Sequence, residues 1–355
     1  MGRGAKLGWE YVEDECLDEE LQQLKILVIG CGGGGCNSVN RLNSIGLTGA
    51  VTVAINTDRR HLTNIKASRR LLIGAGLTRG FGAGGDPEMG KACAENAWEP
   101  LNEIIQGADL TFVLVGMGGG TGTGAAPVIA EIAKRYGSVV ISIATTPFGF
   151  EKARKENAAR GIRRLESVSD TLLLLDNNRL LDMVPNLPIE QAFGVMDQLI
   201  SEVVKGLIDA ITEPSLINLD FADLRTVMSH GGISTVLYGE NSDPESVVRD
   251  TLDNPLLDVD YKGATGALIH ITGGRNMTLK KATKVVEGMT ESLDPDANVI
   301  FGARIDDECE GLIRVMAVLT GIGTANDEVK GIDVADEILE DVPDEIEEVA
   351  LNFTR

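Results

Sequence analysis

The chain has 355 residues, 43% hydrophobic and 24% charged, a balance that suits a folded protein with room for about two domains and excludes a disordered chain. Its formal net charge of -22 repels phosphate backbones and anionic surfaces, which argues against nucleic-acid binding. No apolar run reaches the roughly 18 residues of a membrane span, and no basic segment followed by an apolar one opens the chain, so a cytoplasmic protein without direct membrane insertion is expected.

Residues 1–24 form an acidic extension with Leu17, Leu21 and Leu24 at helical spacing, and the folded body is expected from Lys25. From there short apolar runs alternate with longer amphipathic ones. Residues 26–29, 51–55, 71–73, 110–115, 139–144 and 172–175 read as buried strands, and 36–45, 87–105, 125–135 and 151–167 as helices. This series predicts an α/β domain over 25–187, a Rossmann-like parallel sheet with helices on both faces and ligands at the carboxyl ends of its strands.

After Pro188 apolar residues recur at steps of three and four, predicting a long central helix over 188–212, buried on more than one side and stopped near Glu213 and Pro214. Residues 213–323 read as a second, smaller α/β unit packed against the first, with helices near 221–228, 243–252 and 278–292 and strands at 232–238, 265–271, 297–304 and 312–319. An acidic tail occupies 324–355. Two readings of it stand: a solvated end, or a peptide that folds against a partner.

Five cysteines lack a metal-ligand spacing and fit reduced thiols. Cys31 and Cys36 flank a glycine run, where small residues beside a tight turn are the plainer reading than a redox pair. His61, His230 and His270 lie far apart and suggest neither a zinc site nor a triad, so no metal site is expected.

The first strand enters Gly30, Cys31, Gly32, Gly33, Gly34, Gly35, Cys36 and Asn37, and a helix follows. Glycine lets a backbone approach a phosphate, and a helix N-terminus offers free N–H groups with partial positive charge. Gly30, Gly32 and Gly35 also satisfy the dinucleotide pattern, with Asp58 after the second strand, so an NAD-dependent dehydrogenase is the rival from another class. A second loop after the fourth strand, from Gly116 through Gly118, Gly119, Gly120, Thr121, Gly122 and Thr123 to Gly124, favours a longer phosphate chain, and both threonines could add hydroxyl donors. A third glycine-rich stretch, Gly80 to Asp86, precedes a helix, and Pro147 follows the fifth strand. Gly85 to Lys91 fits a P-loop pattern, but Ala92 follows where a hydroxyl should hold magnesium, and Gly90 would lie inside a helix, so a P-loop is rejected.

The run Gly118 to Gly124 resembles the signature of the tubulin/FtsZ family, and Asn218, Leu219, Asp220, Phe221, Ala222, Asp223 and Leu224 resemble the catalytic loop of its FtsZ branch. The resemblance extends from Lys25 to Gly323. It implies a cytoskeletal GTPase that polymerises head to tail, holds GTP or GDP with Mg²⁺, and serves the division ring; a relative for cell shape or DNA segregation is the alternative within the family. Gly32, Gly33, Gly34 and Asn37 would lie along the phosphates, and Asn56 and Asp58 would form the second loop. Ala83, Gly84 and Gly85 would face the γ-phosphate, with Gly119 to Thr123 wrapping the chain. Glu151 would reach the ribose, Asn177 and Asp197 the guanine edge, and Phe193 would stack on the base. Taken alone, Phe193 also reads as core packing and Asp197 as a solvated helix face. Lys155 stands where the branch usually has arginine, with Arg154 before it, so the contact at the γ-phosphate is expected to depart from the family pattern.

Asp220 and Asp223 start a predicted helix, and on spacing alone they read equally as an N-cap and its third helical position. The resemblance adds a catalytic role: the pair reaches the neighbouring subunit's nucleotide and polarises water. It also implies membrane-anchor or division proteins as partners of the tail.

Overall fold

The computed structural model describes residues 24–180, 184–213, 215–217, 219–228, 233–253 and 261–323. The acidic extension to residue 23 and the tail, with both readings of it, lie outside these residues, as do Asn218 and His230.

The first unit runs β1 (Ile26–Cys31), α1 (Gly32–Ser44), β2 (Val51–Asn56), α2 (Arg59–Thr63), β3 (Arg69–Leu72), α3 (Ala75–Thr78), α4 (Pro87–Glu95) and α5 (Trp98–Ile105). It continues with β4 (Leu110–Gly116), α6 (Thr121–Arg135), β5 (Val139–Thr146), α7 (Lys152–Val168) and β6 (Thr171–Asp176). The central helix α8 (Ile189–Thr212) follows, then α9 (Phe221–Met228), β7 (Ile233–Asn241), α10 (Pro244–Leu252), β8 (Gly266–Gly273), α11 (Leu279–Thr290), β9 (Asn298–Ile305) and β10 (Ile313–Gly323).

Strand order is β3-β2-β1-β4-β5-β6-β7-β10-β8-β9. The strands through β6 are all parallel. Alternate residues of β1 serve opposite faces, as the two-residue period of a strand requires. Leu27 and Ile29 join a core with α4 to α7, whereas Ile26 and Val28 join one with α1, α8 and α9. The wide stripe of α8 is buried as its sequence predicts: Leu199, Ile200, Val203, Val204, Leu207 and Ile208 are all shielded, each contributing roughly 2 kcal/mol. That core also takes Val236, Leu268, Met316 and Val318 from the second unit.

The second unit differs from the expectation of a separate layer. Its sheet continues the first edge to edge, because β7 pairs with β6 in parallel at Leu172 with Ile233 and Leu173 with Ser234. Beyond this seam β7 and β8 both run antiparallel to β10, and β9 returns parallel to β8. The helix expected over 87–105 is two helices: α4 ends at Glu95 and α5 starts at Trp98, with Pro100 in the first turn of α5, where a missing N–H costs little. Among the described residues no helix is long and apolar enough to cross a membrane.

Candidate functional site

Strand order reverses around β1, which has β2 on one side and β4 on the other. At such a switch point the two outgoing loops diverge and leave a crevice. Both loops are the glycine runs. Gly32 has φ +72°, and a Cβ there would stand 2.7 Å from the Gly122 nitrogen. A Cβ at Gly34 would stand 3.3 Å from Gly116. The loops therefore lie backbone against backbone, and the N-termini of α1 and α6 open on the same side.

The helix α6 starts at Thr121, one turn earlier than expected, which places Gly124 inside it. A Cβ at Gly124 would stand 1.9 Å from the Pro87 carbonyl oxygen, so the first turn of α6 is pressed against α4. Gly90 lies inside α4, where a Cβ would stand 2.2 Å from the Gly120 oxygen. This glycine serves helix packing, in keeping with rejection of a P-loop.

A cleft of about 1350 Å³ opens at this point. Gly33, Gly34, Asn37, Gly119, Gly120, Thr121 and Gly122 line its floor, Pro147 and Glu151 its flank, and Asn177, Phe193 and Asp197 its far end. Gly32, Gly118 and Thr123 stand behind the lining. The Gly118 N–H donates to the Thr123 hydroxyl across 2.9 Å, so this threonine holds the loop shape. Thr121 shares a 2.6 Å hydrogen bond with Thr57.

Asn56 and Asn37 meet through His61. The Nδ1 of His61 lies 3.2 Å from Asn56 Nδ2, and its Nε2 lies 3.0 Å from Asn37 Oδ1. Asp58 caps α2, accepting from the His61 N–H at 3.1 Å. Its carboxylate is thus committed locally and does not line the cleft, which removes the acid a dinucleotide fold would offer to ribose. Of Ala83, Gly84 and Gly85, Ala83 packs on the second loop, since a Cβ at Gly120 would stand 2.9 Å from Ala83 Cβ, and none of the three lines the cleft. Gly85 lines a smaller cleft of about 220 Å³ with Asn157, Arg160 and Arg164.

At the far end, the Ser38 hydroxyl donates to Asp197 at 2.7 Å. Burial pushes the Asp197 carboxyl up to about 6, against the pull of Ser38 and of the Arg41 charge. Asn177 is buried, and its Oδ1 has no hydrogen-bond partner among the described residues. Phe193 is 40% exposed, with its ring edge-on to Phe148 at 5.5 Å, so it is a cleft residue rather than core. Lys155 lies outside the lining; Arg154 takes a place in it, paired with Glu151 at 2.7 Å.

Asp220 and Asp223 do not line this cleft. They cap each other at the start of α9: the Asp223 N–H donates to Asp220 Oδ1 at 2.7 Å, and the Asp220 N–H to Asp223 Oδ2 at 3.3 Å. The capping reading is realised in full. Asp220 remains exposed.

Cys31 and Cys36 are free, fully buried thiols. Burial pushes Cys31 far up and Cys36 up to about 12, so neither offers a thiolate. Sequence reading missed Ser38, Arg41, His61 and Arg154. His61 and Ser38 act through partners, and neither carries a local signal: Ser38 is the seventh residue of α1, past its first turn.

Two glycine loops packed backbone against backbone at one end of a cleft, with an unpartnered amide and a half-buried carboxylate at the other, give an α/β protein with the frame of a nucleotide site. The chain belongs to the tubulin/FtsZ family of GTPases, in its FtsZ branch. Residues 25–185 match the family model for the Tubulin/FtsZ GTPase domain, and residues 232–323 match that for the FtsZ C-terminal domain. The chain is 56% identical to "Cell division protein FtsZ 2" of Methanocaldococcus jannaschii, over 87% of this chain and 83% of that protein. It is 53% identical to the protein of the same name from Halobacterium salinarum, over 86% and 79%. Among solved structures, "FtsZ dimer, empty" from M. jannaschii superposes with a TM-score of 0.81 at 46% identity, covering 87% of this chain and 92% of that one. The CetZ2 protofilament of Haloferax volcanii, at 22% identity and a TM-score of 0.74, shares the fold. The chain is therefore a guanine-nucleotide GTPase of the cytoskeletal class, and the dehydrogenase alternative falls.

Proposed function

We propose that this protein is a cytoplasmic division-ring GTPase that assembles head to tail and hydrolyses GTP at the joint between subunits. The observation that carries the reading is the cleft's polarity: two backbone-packed glycine loops at one end, Asp197 and Asn177 at the other. The loops' N–H groups would hold the phosphates, with Gly32 and Gly118 shaping them and Gly84 and Gly85 closing over the γ-phosphate. Ionised Asp197 would accept from guanine N1–H and the 2-amino group, which adenine does not present together. Asn177 would use its unpartnered oxygen on the same base, Phe193 would stack on it, and Glu151 would meet the ribose.

Among the described residues no group of three or more His, Cys, Asp or Glu could cage a metal. Mg²⁺ nonetheless fits, because this ion is commonly held by phosphate oxygens and water, where it neutralises charge on the nucleotide. No residue of the chain is given to it.

Within one subunit the aspartate pair lies outside the nucleotide cleft, so hydrolysis would need a second copy to deliver it. Asp220 and Asp223 would then orient water for attack on the γ-phosphorus. The "FtsZ dimer" among the relatives supports self-association. A head-to-tail contact does not close on itself and so builds filaments. The domain limits follow: 25–187 for GTP binding, 188–212 for the central helix, 213–323 for the unit carrying the aspartates, with division or membrane-anchor proteins taken by the tail at 324–355.

The test is GTP turnover per subunit against protein concentration, with magnesium, alongside light scattering. Turnover and scattering should rise together above a threshold. Turnover independent of concentration would mean a self-contained site and would overturn the shared one.

A further inference from the structure

The helix α7 is one of two basic stretches in an acidic protein; the other, 59–79 with Arg59, Arg60, Lys66, Arg69 and Arg70, lies at the far edge of the sheet, beside β2 and β3 and away from β10. It carries Lys152, Arg154, Lys155, Arg160, Arg163 and Arg164 against two acids, Glu156 and Glu166. At 100° per residue, Lys152, Arg160, Arg163 and Arg164 share one face, and all four are exposed; Glu156 is the one acid within that arc, which leaves the face a net charge of +3. The two that have partners spend little on them. Arg164 meets Glu88 at 2.8 Å with both side chains at least half exposed, and Arg160 meets the neutral Asn157 at 2.9 Å. Lys152 and Arg163 have no ion-pair partner among the described residues. Exposed pairs of this kind contribute at most about 1 kcal/mol, so the face keeps most of its charge available.

The described chain ends at Gly323, the last residue of β10, and 32 residues follow. Sheet register places that exit near α7. Gly323 pairs with Ile233, and Ile233 pairs with Leu172 of β6. At about 4.8 Å per strand, the exit stands roughly 10 Å from Leu172. The helix α7 ends at Val168, four residues before Leu172, and Arg163 lies about 8 Å further up the helix. The segment leaving Gly323 holds eleven acidic residues against Lys330 and Arg355.

We infer that the acidic segment 324–355 folds back onto the basic face of α7 in its own subunit. A tether this short presents its own carboxylates at an effective concentration in the mM range, enough to support a contact too weak to form between separate molecules. The lysine-rich helix α11 is the poorer host. In α11 the cations Lys280, Lys281 and Lys284 sit in the half away from its end, and Lys284 already meets Glu245 at 3.1 Å. The segment proposed above to take division partners would then be held in reserve by α7, and such partners would compete with it.

The test uses the full chain with GDP, below any assembly threshold, with carbodiimide joining lysine amines to carboxylates and mass spectrometry reading the products. Crosslinks should run from Lys152 to acidic residues of 324–355. A mixture of ¹⁴N and ¹⁵N protein should give no mixed products. Yield should fall on the order of tenfold at 0.5 M salt, or when Arg160→Glu and Arg163→Glu are combined, because the attraction is between exposed charges. The Arg160→Gln, Arg163→Gln pair guards against misfolding and should fall in the same direction while GTP binding is kept. Tail crosslinks shared equally with Lys280 and Lys284, crosslinks from Lys152 to residues 10–20 in place of the tail, mixed-isotope products, or yields indifferent to charge would each overturn the inference. These readouts need neither turnover nor filaments, so failure of the shared-site reading would leave them standing.

Discussion

Ser38 and Asp197 meet at 2.7 Å across 159 residues of sequence, tying the second turn of α1 to the central helix at the end of the cleft where a base would lie. The carboxyl is raised from 3.8 to about 6 by burial. A guanine accepted by this group needs it ionised. GTP affinity is therefore expected to hold above pH 6 and to weaken as pH falls through that value. Equilibrium binding between pH 5 and pH 8 checks this, and Asp197→Asn should flatten the profile at the low-affinity level.

The same shift sets a stability cost. Asp197 has a folded value above its unfolded one, so the ionised group destabilises the free protein as pH rises from about 4 to 6, and the cost stays in full above that. Asp197→Asn is expected to stabilise the nucleotide-free protein at pH 7 by on the order of 1 kcal/mol, discounted for partial exposure, while weakening GTP. A calorimetric Tm that falls in the free variant would contradict the burial argument.

Asp220 and Asp223 allow cap and catalysis to be separated. Asparagine caps a helix about as well as aspartate. Asp220→Asn should leave the unfolding free energy within about 0.5 kcal/mol of the parent and GTP binding unchanged, yet reduce turnover by roughly a hundredfold or more, as loss of a charged group at the reacting water predicts. Asp220→Ala should add about 1 kcal/mol of lost capping. Full turnover in the asparagine variant would reduce the pair to structural caps.

Gly90→Ala reverses an ordinary sign. In most helix interiors alanine is better than glycine by roughly 0.5–1 kcal/mol. Here the new methyl would press on the Gly120 carbonyl, so the variant should lose about 1–3 kcal/mol and bind GTP more weakly through the displaced loop. Urea unfolding and nucleotide titration on one sample measure both.

Residues at short range were legible in the sequence. The period of α8, the cap at Asp220 and the strands around the glycine runs each rest on neighbours a few positions apart. Phe193 was marked as a cleft residue only by the family resemblance, because its place in the apolar period of α8 is the same whether it faces core or opening. His61 needed Asn37 and Asn56 brought together in space. The seam between β6 and β7 rests on two residue pairs, too few to leave a pattern along the chain.

Gly90, Gly120 and Gly124 have a consequence for how such chains diverge. Apart from the Ala83 Cβ beside Gly120, their nearest neighbours are backbone atoms of α4, α6 and the adjoining loops, which no substitution elsewhere can trim. The glycine signature is thus enforced by steric closure before any ligand arrives. A descendant that had abandoned its ligand would therefore still carry it, because main chain and not side chain is at stake there.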